Sequence, residues 1–300
     1  MLREAKAGTE RDRSMHDVCV SIVSFNTAGY LLRCIHSVIA TSDNLDVQIV
    51  VVDNASTDGS PERVAAAFPS VEIIHNTRNA YFTRANNQAI QAGNARFTLI
   101  LNADVELLPG TLKALLDYME GHPEVGAVQP AMVDAKGQMQ MIGGQSLSTL
   151  AGLRLHTLLG HHLPGGTGTR RYYGLQGWDR TQTRPVEILA DTCMLVRQEA
   201  IQLAGRYDER FLLYFTEDEW SDRLRANGWE LVHYSDATIL HHLHQSTSTV
   251  RRWRIRAIFA RDMMNYFGKK NGLGAALLVG SVLGTELVVT ILLSCMKRNP

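Results

Sequence analysis

Phe97-Thr-Leu-Ile-Leu-Asn-Ala-Asp-Val-Glu106 is a short apolar segment that runs directly into polar residues. Its opening residues are apolar or β-branched, which is typical of a strand buried on both faces of a parallel sheet. Asn102 and Asp104 follow at alternate positions, so in an extended chain their side chains point the same way. Open α/β sheets bind ligands at the carboxyl ends of their strands, where an acid can hold a hard divalent cation against a phosphate. The alternative is a strand that simply ends in a polar turn.

The segments that flank this strand alternate between strand and helix patterns. Their order predicts βαβ units, a parallel sheet and right-handed crossovers. No G-x-G-x-x-G or Walker lysine motif follows the first strand, which disfavours a dinucleotide dehydrogenase and a P-loop NTPase. Strands are expected at residues 18–25, 47–52 and 71–75, and helices at residues 30–40, 61–68, 85–92 and 110–121.

The composition suits one large domain or two coupled domains. The 300 residues are 45% hydrophobic and 20% charged, so a sizeable core is expected and global disorder is not. The formal net charge is zero, which argues against a protein that binds nucleic acid. The four cysteines are scattered without C-x-x-C spacing, so neither a disulfide framework nor a zinc site is expected, and a reducing compartment fits. The N-terminus lacks the apolar core of a signal peptide.

Other regions are less regular. Residues 1–17 are charged with few apolar side chains, so we expect a flexible tail. Residues 126–184 show no clear periodicity, and residues 186–197 return to a strand-like pattern. His161 and His162 lie in a stretch rich in glycine and histidine. Adjacent histidines there are more often solvated loop residues than metal ligands.

A second informative segment, residues 211–225, carries acids to the start of a helix expected at residues 220–226. Glu217, Asp218 and Glu219 follow an aromatic run there. One interpretation is that they cap the helix, because the helix dipole favours acids in the first turn. The other is that one of them is a general base, because crowded acids beside an apolar wall raise a pKa.

Short motifs occur through the chain in the order typical of one enzyme family. They are Val-Ser-Ile-Val-Ser-Phe-Asn26, Val-Val-Asp-Asn-Ala-Ser-Thr-Asp-Gly-Ser60, Asn-Ala-Tyr-Phe-Thr-Arg-Ala-Asn-Asn87, Leu-Asn-Ala-Asp-Val105, Tyr-Asp-Glu-Arg-Phe-Leu-Leu-Tyr-Phe-Thr-Glu-Asp218 and Leu-His-His-Leu-His-Gln-Ser246. In this order they resemble the family 2 glycosyltransferases of the GT-A fold, particularly the bacterial rhamnosyltransferase-like branch. The resemblance implies an α/β fold with a Rossmann-like, mostly parallel sheet flanked by helices, and a C-terminal helical extension.

The resemblance assigns the side of the site that binds a nucleotide-diphosphate sugar, the donor. Asp53 is expected at the base and ribose, with Ser24 and Asn26 around the nucleoside. Arg84 either pairs with the diphosphate or lies on the surface. The family usually has glycine where Ala80 stands, so the backbone there is less free to approach the donor. The predicted donor contacts are Ser24, Asn26, Asp53, Asn79, Arg84, Asn86, Asn102, Ala103 and Asp104.

The resemblance also assigns the metal, the base and the acceptor side. Asp104 resembles the second acid of the family's D-x-D element, and Asn102 replaces the first acid. Asp104 is expected to hold Mg²⁺ or Mn²⁺ together with His241, which fits the family's metal-contacting histidine better than the other histidines of residues 241–244. Asp218 resembles the catalytic base. The predicted acceptor contacts are Asp191 and Glu217.

The resemblance implies an inverting, metal-dependent glycosyltransferase. It favours transfer of rhamnose from dTDP-rhamnose to a cell-surface polysaccharide or a lipid-linked acceptor. One open alternative is a non-catalytic sugar-nucleotide-binding or scaffold protein of the same fold. A transferase specific for UDP-sugars is another. A nucleotidyltransferase is a third, which the Thr-Glu-Asp motif ending at Asp218 does not support.

The C-terminal region combines basic and apolar residues. Residues 251–270 carry five arginines and two lysines against one acid, and residues 275–295 are mostly apolar and long enough to span a bilayer. Such a segment lies in the membrane interface, spans the membrane, or packs on the catalytic domain or a second subunit. We therefore expect a peripheral or C-terminally anchored protein on the cytoplasmic side of a bacterial inner membrane, with a homo-oligomer left open. The expected regions are a tail (1–17), a nucleotide-sugar-binding half (18–125), an acceptor-binding and catalytic half (126–246) and membrane-associating C-terminal helices (247–300).

Overall fold

The computed structural model describes residues 15–42, 44–157, 177–242 and 252–296. The histidines His161, His162 and His244 and most of the predicted tail lie outside these residues. The strands are β1 (His16–Ser24), β2 (Val47–Asp53), β3 (Glu72–His75), β4 (Ala95–Asn102), β5 (Val105–Leu107), β6 (Val125–Val133), β7 (Arg184–Pro185), β8 (Cys193–Arg197) and β9 (Glu230–His241). The helices are α1 (Ala28–Ala40), α2 (Ser60–Ala67), α3 (Tyr81–Ala92), α4 (Thr111–Gly121), α5 (Thr149–His156), α6 (Gln198–Ala204), α7 (Thr216–Ala226), α8 (Arg252–Asn271) and α9 (Leu273–Met296).

A single sheet runs through the described part of the chain in the order β3-β2-β1-β4-β8-β6-β9-β5, with β7 paired to β9. Strands β3, β2, β1 and β4 are mutually parallel, as the alternating pattern predicts. Alternate residues of β1 bury opposite faces. Val20 packs in the cluster that includes Leu31 of α1, whereas Cys19 packs in the cluster that includes Ala85 of α3. Both faces are therefore covered by helices, which explains why these strands are apolar throughout.

The other half of the sheet is mixed. Strand β8 runs antiparallel to both β4 and β6, and β6 runs parallel to β9. The prediction that residues 126–184 lack regular structure is wrong for β6, which is buried along nearly its whole length. Pro130 makes this strand hard to predict from sequence, because proline cannot donate a hydrogen bond to a ladder and is rare in central strands. Here the register with β9 shifts between Pro130 and Ala131, so the ladder accommodates the proline at an irregularity.

The first strand begins earlier than predicted. His16 and Asp17, assigned to the flexible tail, belong to β1. His16 Nδ1 lies 2.8 Å from Asp46 Oδ1, and Arg96 donates to Asp17 Oδ1 at 2.7 Å. These contacts extend the strand beyond its apolar residues, so the predicted tail boundary at residue 17 is wrong and β1 begins at His16.

The C-terminal helices α8 and α9 form a hairpin that packs on the rest of the chain. The two helices meet at Gly272, whose φ of 85° is unfavourable for other residues. Phe215 stacks on Tyr266 of α8 with ring centroids 5.4 Å apart, and Val279 of α9 is fully buried. Packing on the catalytic domain, one of the three predicted arrangements, is therefore present. Among the described helices, none combines the length and the apolar character needed to cross a bilayer.

Candidate functional site

The carboxyl ends of β1, β2 and β4 meet at one edge of the sheet. Ser24 pairs in register with Asp53, and Val23 pairs with Asn102. Asp53 is only 3% exposed, and its Oδ2 accepts a hydrogen bond from the amide of Ser56 at 3.0 Å. Its Oδ1 is buried and has no hydrogen-bond partner among the described residues. A buried carboxylate oxygen requires a donor, so this edge fits a ligand that supplies an N–H or O–H group.

Asn26 joins the loop after β1 to the loop after β2 at this edge, and Ser24 bonds to the loop after β1. Asn26 has a φ of 54°, and its side-chain oxygen accepts a hydrogen bond from the amide of Thr57 at 2.8 Å. The amide of Asn26 donates to Ser56 Oγ at 2.9 Å. Ser24 Oγ lies 3.2 Å from Thr27 Oγ1. The loop after β2 is thereby held against the loop after β1, beside Asp53.

The segment that leads into α3 lies next to the loop after β2. Asn79 accepts a hydrogen bond from the amide of Tyr81 at 2.8 Å, and the amide of Ala80 donates to Asn54 Oδ1 at 3.2 Å. Asn86 is buried and accepts a hydrogen bond from Ser21 Oγ at 2.7 Å, so its side chain joins α3 to β1. Arg84 is exposed, and within the described residues it has no ion pair. Through Ala80 and Asn86, the segment of the predicted donor contacts is therefore bonded to the loop after β2 and to β1.

The turn between β4 and β5 brings Asp104 to His241. Val105 of β5 pairs with His241 of β9, and His241 Nε2 lies 3.7 Å from Asp104 Oδ1. His241 Nδ1 lies 3.0 Å from Gln140 Oε1, which makes Nδ1 the protonated nitrogen and places the Nε2 lone pair beside Asp104. His242 instead contacts Glu106 at 2.7 Å. Ala103, between Asn102 and Asp104, is buried, so only its backbone can take part in binding.

A buried carboxylate and an oriented imidazole suit a divalent cation such as Mn²⁺ or Mg²⁺. Within residues 15–42, 44–157, 177–242 and 252–296, no group of three or more histidine, cysteine or acidic side chains is arranged around a metal position. Asp104 and His241 would therefore supply two ligands. Oxygen atoms of a diphosphate and water would complete the coordination.

Three acids gather where α7 begins. Thr216 Oγ1 lies 2.7 Å from Asp191 Oδ2 and 3.0 Å from Glu217 Oε2. A hydroxyl has one hydrogen to donate, so both contacts are hydrogen bonds only if one of the two acids is protonated. Burial, and then the charge of Glu217, raise the pKa of Asp191 well above its ordinary value. Burial also raises the pKa of Glu217.

Asp218 is the third acid of this cluster. Burial raises its pKa well above the ordinary value, and the charges of Glu217 and Asp222 raise it further, while Lys270 acts in the opposite direction. A carboxyl group with a raised pKa is a stronger base once ionised, which suits proton abstraction from a hydroxyl group. These raised pKa values are what the general-base interpretation requires, and the acids also lie in the first turn of α7, as the helix-capping interpretation requires.

A short path of hydrogen bonds connects the acid cluster to the edge of the sheet. The amide of Asn102, at the end of β4, donates to the carbonyl of Thr192 at 2.9 Å. Asp191 precedes Thr192 and accepts from Thr216. The structure thus links the end of β4 at Asn102 to Asp191 and, through Thr216, to Glu217, although Asn102 and Asp191 lie more than 80 residues apart in sequence.

The sequence model of glycosyl transferase family 2 matches residues 19–202, more than half of the chain. The chain belongs to glycosyl transferase family 2. This family 2 glycosyltransferase is 30% identical over 239 residues to the N-acetylglucosaminyl-diphospho-decaprenol L-rhamnosyltransferase of Mycobacterium tuberculosis, a match that covers 76% of each chain. It is also 26% identical over 225 residues to the O-antigen biosynthesis protein RfbC of Myxococcus xanthus, covering 74% of this chain and 17% of RfbC.

Solved glycosyltransferases share the fold. GalNAc-T7, solved with UDP, GalNAc and Mn²⁺, superposes with a TM-score of 0.59 at 15% identity, covering 86% of this chain and 50% of its own. The mannosyltransferase PcManGT of Pyrobaculum calidifontis, solved with GDP-Man and Mn²⁺, gives 0.54 at 15% identity, covering 92% and 75%. The predicted family and the predicted GT-A fold are confirmed.

Some residues around the acids carried no signal in the sequence. Lys270 of α8 donates to Asp222 Oδ2 at 2.8 Å, and Lys269 donates to Glu219 Oε1 at 2.6 Å. Both lysines were counted with the basic residues expected at a membrane. Their ion pairs with α7 depend on where α8 packs, and no local pattern indicates such a partner.

Proposed function

We propose that this family 2 glycosyltransferase moves a sugar from a nucleotide-diphosphate donor to a hydroxyl group, with inversion, in the presence of a divalent cation. The supporting observation is the path that joins the end of β4 to the acid cluster. It supports a candidate base near a candidate cation site, and a direct displacement requires both groups.

The donor half of the proposal rests on Asp53, Asn79 and Asp104. Asp53 would accept an N–H or O–H group from the nucleoside with its buried Oδ1. Asp104 and His241 would hold Mg²⁺ or Mn²⁺, which when bound supplies positive charge against the charge that develops on the diphosphate. Arg84 is exposed and lies five residues after Asn79 in the sequence. Its long side chain would place a second positive charge at the diphosphate.

The acceptor half rests on the acid cluster. Asp218 would take the proton of the acceptor hydroxyl as that oxygen bonds to the anomeric carbon. The bond from this carbon to the diphosphate oxygen breaks in the same step, and the nucleoside diphosphate leaves with the electron pair. Attack opposite the leaving group inverts the anomeric configuration without a covalent enzyme intermediate. Asp191 and Glu217, both in contact with Thr216, would orient the acceptor. Burial, and then the charge of Glu217, would keep the pKa of Asp218 raised.

The sugar and the acceptor are proposed by analogy with the mycobacterial rhamnosyltransferase. We propose dTDP-rhamnose as the donor and a sugar on a polyprenyl diphosphate, or a growing cell-surface polysaccharide, as the acceptor. The test is a panel of dTDP-, UDP- and GDP-sugars with a lipid-linked acceptor extract and mass detection of the product. Transfer from dTDP-rhamnose supports the proposal. Transfer only from a UDP-sugar would show that the proposed donor is wrong and that a UDP-sugar is the donor.

The same panel, extended to nucleoside triphosphates, separates the other classes of function. A sugar-nucleotide-binding or scaffold protein would bind a donor without product, with or without metal. A nucleotidyltransferase would release pyrophosphate from a nucleoside triphosphate. Either result would overturn the proposed reaction.

The hairpin α8–α9 is the proposed contact with the cytoplasmic face of the membrane. Trp253 is 62% exposed, and three arginines of α8 are exposed near it. On α9, Leu277 and Leu278 are 63% and 51% exposed. Cations beside exposed aromatic and aliphatic side chains suit an interface with anionic lipid, where the lipid-linked acceptor would also lie. The exposed arginines are Arg254, Arg256 and Arg261.

A further inference from the structure

Asp262 of α8 is a buried acid that belongs to none of the family motifs. It is fully buried, and its Oδ2 accepts hydrogen bonds from three successive backbone amides. These are the amides of Leu212, Leu213 and Tyr214, at 3.0, 3.0 and 3.1 Å. Successive amides that converge on one point form an anion-binding concavity, and here an acid from a helix 50 residues later in the chain fills it.

The loop that Asp262 holds joins the donor side to α7. The carbonyl of Leu212 accepts a hydrogen bond from the amide of Phe82 at 3.0 Å, and the carbonyl of Phe211 accepts one from Thr83 Oγ1. Phe82 and Thr83 lie in the first turn of α3, inside the predicted donor segment between Asn79 and Arg84. The carbonyls of the loop are thus bound to the donor side, and its amides are bound to α8.

The loop then turns into the helix that carries Asp218. Phe215 has a φ of 56°, a left-handed conformation that is unfavourable for a bulky residue and must be held by its surroundings. Its ring packs against Tyr266 and Phe267 of α8, with centroids 5.4 and 6.0 Å apart. Thr216 begins α7 at the next residue, and Asp218 lies in the first turn.

The other end of α8 also contacts α7. Lys269 pairs with Glu219, and Lys270 pairs with Asp222, one turn after Asp218. Together with Asp262, these contacts bind α8 to both sides of the residue proposed as the base. A shift of α8 would therefore move the start of α7 relative to the end of β4.

We propose that Asp262 is a positioning residue, which sets the place of the Asp218 carboxylate through the loop of residues 211–215. This inference rests on the proposed function, because it assigns a consequence to the position of Asp218. Asp262 contacts no substrate in this arrangement. It acts by supplying one charged acceptor for three amides, and hydrogen bonds to a charged group are about twice as strong as neutral ones.

The test is Asp262→Asn, with Asn265→Ala as the matched control. Asn265 lies one turn further along α8 and donates to the carbonyl of Arg210 at 3.1 Å, outside the three-amide contact. In D262N we expect kcat to fall about 10- to 100-fold, because misplacement of a catalytic group by about 1 Å can cost 100-fold. The donor KM and the Kd of the nucleoside diphosphate should stay within about threefold, as should all constants of N265A.

A second measurement does not require turnover. In D262N the amides of residues 212–214 should exchange hydrogen about tenfold faster, with unchanged exchange in β1 and β4. Normal protection of these amides, or a kcat within threefold of the wild type, would overturn the inference. A merely structural role would instead lower the thermal midpoint and leave kcat per folded molecule unchanged.

Two further results keep the outcomes separate. If D262N does not fold, Asp262→Glu keeps the charge and moves the acceptor by one methylene, and a kcat equal to wild type would then overturn the inference. If wild-type protein transfers no sugar from any donor, the proposed function fails, whereas the hydrogen-exchange result still decides whether Asp262 holds the loop.

Discussion

Replacement of Asp218 by asparagine is the sharpest test of the proposed chemistry. The adjacent acid Glu217 provides a matched control, because Glu217→Gln removes one charge from the same cluster with an equally small change of shape. A general base contributes about 100- to 10,000-fold to a rate, equivalent to about 3–5 kcal/mol in the activation barrier. We expect D218N to lose this factor in kcat and E217Q to lose about tenfold or less.

The stability of the two variants should change in the opposite direction to their activity, because a variant that loses kcat should gain free energy of unfolding. The pKa of Asp218 is raised in the folded protein, so the folded state binds more protons than the unfolded state between the ordinary and the raised pKa. The free energy of unfolding therefore falls as pH rises through this window. Each unit of elevation corresponds to about 1.4 kcal/mol, so D218N should unfold at a higher temperature than wild type above pH 7. The two thermal midpoints should converge at acidic pH.

The assay is release of nucleoside diphosphate at saturating donor and acceptor, together with calorimetric binding of the donor. Wild-type kcat should fall as pH drops below the raised pKa of the acid cluster, because the base must be ionised. Donor affinity should be nearly equal in wild type, D218N and E217Q. Retention of more than about a tenth of wild-type kcat in D218N would refute the assignment of the base. A larger loss in E217Q than in D218N would transfer the role to Glu217.

The remaining predictions concern the metal, the hairpin and the membrane. Asp104→Asn should raise the Mn²⁺ concentration needed for half-maximal rate, because the variant loses a carboxylate ligand of the cation. It should also lower kcat at least about 100-fold, because loss of one group that stabilises developing charge costs about 10²–10³. An unchanged metal titration would remove Asp104 from the metal site. Gly152→Ala would bring a Cβ atom into overlap with the ring of Phe267, so the free energy of unfolding should fall by about 1–3 kcal/mol in a denaturant titration. Gly29→Ala, with no atom within 4 Å of the added Cβ, should be neutral or stabilising. Leu277→Glu should weaken sedimentation with anionic vesicles at least several-fold, since burying a charge in the interface is unfavourable; equal sedimentation would exclude this face of α9 from the contact.

Much of the donor side was predictable from sequence. Apolar runs of strand length that end in Asp53 and Asp104 indicate buried parallel strands, and parallel strands place their carboxyl ends at one edge. The structure has Asp53 at that edge, and it has Asp104 beside His241 in the turn that follows β4. The choice of His241 over His242 came from the resemblance to the family, and the ladder between β5 and β9 brings His241 beside Asp104.

Other features could not be read from local patterns. Strand β6 was missed because Pro130 contradicts the usual composition of a central strand, and only the ladder with β9 shows that this proline lies at a register shift. The basic segment in α8 was compatible with contact to lipid or to protein, and the structure pairs Lys269 and Lys270 with acids of α7. A charge count does not distinguish a cation that faces lipid from one that faces a buried acid.

The sequence by itself determined the family, the alternation of strands and helices, and the identity of the acids that end the strands, because these depend on residue type and on spacing along the chain. The tertiary structure alone decided that Asp191 reaches Thr216 and that Asp262 gathers the amides of residues 212–214. Such contacts join residues 25 to 50 positions apart. Their formation depends on how whole helices pack on the sheet, a property that no short stretch of residues carries.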